Sequence, residues 1–176
     1  QRWERHADRA VQPGSTIKLL TSAVALDRLG PNFRGRTELL SSAPIDGDVL
    51  RGDLVLKGGA DADLGVAQLW SLLNEVRDSG VRVIAGDVLL DRSLFQPERR
   101  DLGPAPFDDA PEFAYNVIPD ALNLNGSLLE LEIRSDAQSL SARTLPRLHG
   151  VELSSAMTLS DDRCAAWSAG WQAAQV

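Results

Sequence analysis

The sequence predicts a mixed α/β (α+β) fold, and three observations carry that reading. Two stretches repeat apolar residues at three- and four-residue steps, several others have the character of strands, and Gly, Pro and Asp-Gly signals stand between them. The 176 residues suffice for one core of ordinary size or for two small lobes.

The first helix is predicted over residues 15–29. Pro13-Gly14 marks a turn, Ser15 or Thr16 suits a cap, and Ile17, Leu20, Val24, Ala25 and Leu29 share a face before Gly30-Pro31 stops the helix. Strands are expected at 36–42 and 49–57, joined across Pro44-Ile45-Asp46-Gly47-Asp48, whose Asp-Gly pair is a hairpin signal. A glycine-rich loop, Gly58 to Asp63, leads to a second helix over 66–79 with Val66, Leu69, Trp70, Leu73 and Val76 on one stripe. Asp61 in that loop reads as a turn former.

Residues 81–90 return as a strand interrupted at Gly86, which gives a strand–helix–strand order. Residues 92–119 hold five prolines and no sustained period, so they read as a long loop or a set of short turns. Strands are expected again at 124–133 and 151–159, and an Ala- and Trp-rich tail from Cys164 to Val176 reads as helical. Character changes near Phe33, which places a domain boundary between 1–33 and 34–176; the second part divides into an α/β lobe to about residue 135 and a β-rich remainder.

Charge narrows the function. The net charge is −7 and the basic residues are scattered singly, which disfavours nucleic acid or anionic lipid as a partner. His6 and His149 are far apart and Cys164 is the sole cysteine, so metal-ligand spacing and an internal disulfide are both missing. No apolar run approaches the roughly 20 residues of a membrane span.

Only two of the 18 basic residues are lysines, and one, Lys18, follows Ser15 by three positions. Arginine stays protonated at any working pH, whereas a lysine amine can serve as a base. Three residues apart on a helix, a hydroxyl and an amine are neighbours, which is the Ser-x-x-Lys arrangement of an activated serine nucleophile. The helix start adds N–H groups and a positive dipole end suited to developing negative charge. Flanking Ile17, Leu19 and Leu20 predict a partly buried Lys18 stem. The competing account of Pro-Gly-Ser-Thr is an ordinary helix cap.

The run Gln12 to Thr21, with Ala23, Ala25-Leu26 and Leu29-Gly30-Pro31, resembles the Pro-Ala-Ser-Thr-Met-Lys-Leu helix of low-molecular-mass class C penicillin-binding proteins, the D-alanyl-D-alanine carboxypeptidase/endopeptidases of peptidase family S13. Gly47 to Asp61 is similar to that family's "dG-x-L-x-GdLvlkGsGDP" segment. Val83 to Asp91 with Phe95 resembles "I-x-Gd-lvlD-x-s-x-F", and Ala121 to Asn125 matches "sAL-x-x-N". Four blocks in order cover about residues 1–135.

The resemblance implies the start of a transpeptidase-like catalytic domain in 1–33, followed by inserted mixed sheet-and-helix lobes. It implies Ser15 and Lys18 as catalytic residues, peptidoglycan stem peptides as substrates, β-lactams as covalent inhibitors, no cofactor, and a periplasmic or extracellular location. Asp109 and Tyr115, in Phe107 to Tyr115, are the positions it offers for contacts to the stem-peptide side chain, against a plain acidic loop.

Ser-x-Asn after Ser15 and Lys-Thr-Gly are both missing from these residues, and Lys57-Gly58-Gly59, which imitates the latter, reads as structural. That predicts an N-terminal fragment of a longer enzyme. Two alternatives stay open: a catalytically incomplete peptidoglycan-binding or scaffolding module of the same fold, and another Ser-x-x-Lys hydrolase of β-lactamase or esterase type.

Overall fold

A computed structural model describes residues 4–5, 7–96, 114–154, 156–161 and 163. The chain forms two compact units, 1–34 and 35–176. The first is built around a 3-10 turn, Gly14–Thr16, that runs directly into helix α1, Ile17–Leu29. Gly30 ends α1 in the positive-φ region, its N–H bonded to the Leu26 carbonyl at 3.1 Å.

In the second unit three chain segments lie side by side, each broken into two short strands. The first segment gives β1, Glu38–Leu40, and β2, Ile45–Asp46; the second gives β3, Val49–Leu50, and β4, Leu54–Lys57. After helix α2, Val66–Asp78, the third gives β5, Val83–Ile84, and β6, Val88–Asp91. One half-sheet has the order β1-β4-β6 and the other β2-β3-β5, so the same segment is central in both. The first pairs antiparallel with it and the third parallel, Leu54 opposite Val88 and Lys57 opposite Asp91. The expected hairpin is present: Asp46 faces Val49 across Gly47-Asp48, with Gly47 at φ +63°.

The breaks align at Ser41–Pro44, Arg51–Asp53 and Ala85–Asp87, and polar groups bind them together. The Asp53 carboxylate accepts the Asp87 N–H at 2.8 Å, and the Ser41 hydroxyl donates to the Asp53 carbonyl at 2.7 Å. Gly86 is required there, because a Cβ would stand 2.3 Å from Asp53 Oδ1. The 49–57 and 81–90 strands of the sequence reading are therefore each two strands.

Leu50, Leu54 and Val81 form the core, with Leu39, Ala43, Val76 and Ile84 against them. Helix α2 turns Val66, Leu69, Leu72 and Val76 inward. Trp70, placed on the inner stripe by the sequence reading, is 69% exposed. The inward set advances by three and four residues from Val66, and Trp70 lies one position, about 100°, beyond Leu69.

β7, Glu130–Ser135, and β8, Leu140–Leu145, make a separate antiparallel hairpin. The Asp136 carboxylate closes its turn by accepting the Gln138 and Ser139 N–H groups. The sequence reading started this strand at Leu124, but 124–127 form a 3-10 turn with Asn125, Gly126 and Ser127 at positive φ, and it missed β8. The strand expected at 151–159 does not form in its described residues, since β7 pairs with β8 and Pro146, which has no N–H, ends that ladder. The tail 164–176 lies outside the described residues.

Candidate active site

The start of α1 departs from an ordinary cap. No side chain caps its first turn; the Thr16 hydroxyl and N–H both turn back to the Pro13 carbonyl. The Ser15 hydroxyl instead meets Lys18, whose Nζ donates to Ser15 Oγ at 3.1 Å across one helical turn. Thr21 Oγ1 bonds the Ile17 carbonyl at 3.1 Å on the following turn.

Ser15 and Lys18 are exposed, and so are Ile17, Leu19 and Leu20. The expected burial of the Lys18 stem is therefore not found. Residues one and two positions away on a helix point about 100° and 200° aside, so apolar neighbours in sequence do not cover the amine.

Of the remaining candidates, Asp109 lies outside the described residues. Tyr115 sits on a 3-10 turn, Ala114–Asn116, in the second unit and is 70% exposed. Asp61 behaves as a turn former, its carboxylate accepting the Asp63 N–H at 3.1 Å and the Thr37 hydroxyl at 3.3 Å. Lys57-Gly58-Gly59 is structural as well. Lys57 ends β4 with an ion pair to Glu38 at 3.9 Å, and the Gly58 N–H bonds the Asp91 carbonyl at 2.9 Å. Gly58 has no room for a Cβ, which would stand 2.3 Å from the Ala121 carbonyl oxygen.

The sequence reading missed a polar strap at the ends of β4 and β6. Asp120 is buried and takes a two-point contact from Arg92, with Nε to Oδ1 at 3.0 Å and Nη2 to Oδ2. Asp120 Oδ1 also accepts the Leu122 N–H at 2.9 Å. Asn125 Oδ1 accepts the Val66 N–H at 3.2 Å at the start of α2. Among the described residues no group of three or more His, Cys, Asp or Glu side chains is placed to hold a metal ion, and no helix is long and apolar enough to cross a membrane.

The sequence and the fold both have counterparts among known proteins. Residues 1–167 match the D-Ala-D-Ala carboxypeptidase 3 (S13) family. The chain belongs to the S13 family. It is 34% identical over 119 residues to D-alanyl-D-alanine carboxypeptidase DacB of Haemophilus influenzae, a span covering 68% of this chain and 24% of that protein. It is 37% identical over 99 residues to the D-alanyl-D-alanine carboxypeptidase of Actinomadura sp. strain R39, covering 55% of this chain and 18% of that protein.

In structure this S13 chain is similar to penicillin binding protein 4 (dacB) of Haemophilus influenzae, with a TM-score of 0.63 at 31% identity, covering 76% of this chain and 30% of that one. The same protein in complex with a novel β-lactam gives a TM-score of 0.53 at 28% identity, over 75% of this chain and 26% of that one. The S13 chain thus spans about a quarter or less of the length of the curated relatives it matches.

Proposed function

We propose that this S13 chain carries the nucleophile and base of a serine-type D-Ala-D-Ala carboxypeptidase/endopeptidase acting on peptidoglycan stem peptides at the cell envelope. The 3.1 Å contact of Lys18 with Ser15, unshared with any cap, is the observation that carries the reading. Family membership over residues 1–167 supports it. In the domain assignment that goes with it, 1–33 open the transpeptidase-like catalytic domain and 34–176 are inserted lobes.

In the acylation step Ser15 Oγ attacks the carbonyl of the scissile D-alanyl peptide bond while the Lys18 amine takes the hydroxyl proton. The Ser15 N–H is offered as one oxyanion donor. The C–N bond breaks, Lys18 passes the proton it took from Ser15 to the leaving amine, and water then hydrolyses the ester, freeing the Ser15 hydroxyl. A β-lactam enters by the same attack and leaves a ring-opened ester on Ser15. The steps assigned to these residues use no cofactor. Tyr115 and Asp109 are assigned to the stem-peptide side chain. Ser-x-Asn and Lys-Thr-Gly do not occur in these 176 residues, so activity is to be measured on the full-length protein.

The test is release of D-alanine from a peptide ending in D-Ala-D-Ala. The full-length protein is expected to release it, and Ser15→Ala to lose that release. Undiminished release by Ser15→Ala would end the assignment.

A further inference from the structure

The segment that closes the start of α2 carries a chemically labile pair. Of the five asparagines in the chain, Asn125 alone is followed by glycine; the others precede Phe33, Glu75, Val117 and Leu124. A main-chain nitrogen can attack the side-chain carbonyl of the asparagine before it. Glycine does so most readily, because no Cβ hinders the approach and the backbone turns freely. Gly126 N would bond to Asn125 Cγ, and the side-chain nitrogen would leave as ammonia, taking the Gly126 proton. Water then opens the cyclic imide at either carbonyl, leaving aspartate or isoaspartate.

The fold holds the pair in a geometry that resists this reaction. Asn125 stands at φ +52°, ψ +33°, so the Gly126 nitrogen lies near the Asn125 nitrogen about the Cα–C bond and away from Cβ, where the ring must close. Three hydrogen bonds keep it there. The Asn125 N–H donates to the Leu64 carbonyl at 2.9 Å, the Asn125 carbonyl accepts the Leu128 N–H at 3.1 Å, and Asn125 Oδ1 accepts the Val66 N–H at 3.2 Å. Turning ψ far enough to close the ring swings the carbonyl off Leu128, and bringing Cγ to the Gly126 nitrogen takes Oδ1 off Val66.

We infer that Asn125-Gly126 is a deamidation site gated by the cap of α2: the amide converts only in molecules whose 124–127 turn has come away from the helix. Local openings of this kind occur without global unfolding. The two products then differ. Aspartate keeps an acceptor for the Val66 N–H and adds negative charge at the positive end of α2, whereas isoaspartate carries an extra carbon into the main chain between the Leu64 and Leu128 contacts and displaces them.

The experiment incubates the full-length protein at mildly alkaline pH, folded and in unfolding urea, and follows peptides by liquid chromatography and mass spectrometry with isoaspartate distinguished. Val66→Pro is the decisive variant. It removes the N–H that Asn125 accepts, at a position that suits proline: the first residue of α2, after Gly65 in an extended conformation at φ −108°, ψ 177°. Asn125 is expected to convert about tenfold or more slowly in the folded protein than in urea. Val66→Pro should raise the folded rate about fivefold while circular dichroism shows its helix content retained.

Equal rates in folded and unfolded protein would overturn the inference, and so would a helical Val66→Pro that converts at the native rate. Earlier conversion of another asparagine of residues 1–176 in urea would overturn the site itself. Should Val66→Pro not fold, the native protein in urea below its transition replaces it. Asn125 conversion and Val66 N–H exchange are then expected to rise together, and conversion that stays flat while exchange rises would overturn the gate.

Discussion

Helices α1 and α2 are each 13 residues long and begin in opposite ways. The start of α2 is closed: Gln68 Oε1 accepts the Gly65 N–H at 3.2 Å, and Asn125, from 59 residues away, accepts the Val66 N–H. The start of α1 has no side-chain cap, and its serine hydroxyl faces a lysine amine instead. α2 packs on the sheet through Val76, which lies against Leu50, Leu54 and Val81. One helix start is a joint of the fold, and the other holds the Ser15–Lys18 contact. The Ser15 hydroxyl, of a type that caps helices elsewhere, here meets the Lys18 amine instead.

The largest effect expected from that contrast lies at Lys18. Lys18→Ala should slow penicillin acylation of the full-length protein by about a thousandfold or more, and Lys18→Arg by nearly as much, because a permanent cation restores charge without a base. Stopped-flow or gel labelling rates check this, and rapid acylation by Lys18→Arg would break the contrast.

Substitutions around α2 should act on stability. Leu54→Ala, in the core under the broken sheet, is expected to cost about 2–5 kcal/mol. Gly58→Ala, which drives a Cβ into the Ala121 carbonyl, should cost about 1–3 kcal/mol. Asn125→Ala removes the α2 cap and puts alanine at φ +52°, for about 2 kcal/mol, and Asn125→Gly should cost about half as much, since glycine accepts that φ. Urea unfolding monitored by circular dichroism ranks them, and Gly costing as much as Ala would show that the cap alone matters.

The smallest effect belongs to the β7–β8 hairpin. Glu132 is held below its ordinary value of 4.5, chiefly by the hydrogen bond from Arg143 and then by Arg134. A folded-state value that is lowered adds stability present above 4.5 and lost as pH falls through the lowered value. The urea midpoint of the native protein should therefore exceed that of Glu132→Gln at neutral pH, and the two should converge as the pH falls through the lowered folded-state value. A difference that persists at low pH would remove the ion pairs as its cause.

What was legible in the sequence was local. Ser15 and Lys18 are three residues apart on a helix whose period and stop signals are plain, so their meeting could be read directly. The Asp46-Gly47 turn and the strand–helix–strand order were equally local. Arg92 and Asp120 are 28 residues apart with no pattern joining them, and Asn125 caps a helix 59 residues upstream, so neither contact has a sequence signal. The breaks at Gly52 and Gly86 were marked by glycine, but their alignment across three segments is a tertiary fact. Burial of Lys18 was inferred from adjacent residues, and helical geometry points those elsewhere.

The central claim is tested most directly by treating the full-length protein with a penicillin and sequencing its proteolytic peptides by tandem mass spectrometry. The account predicts one ring-opened penicilloyl group, on Ser15. An adduct on another residue, with Ser15 unmodified, would contradict it.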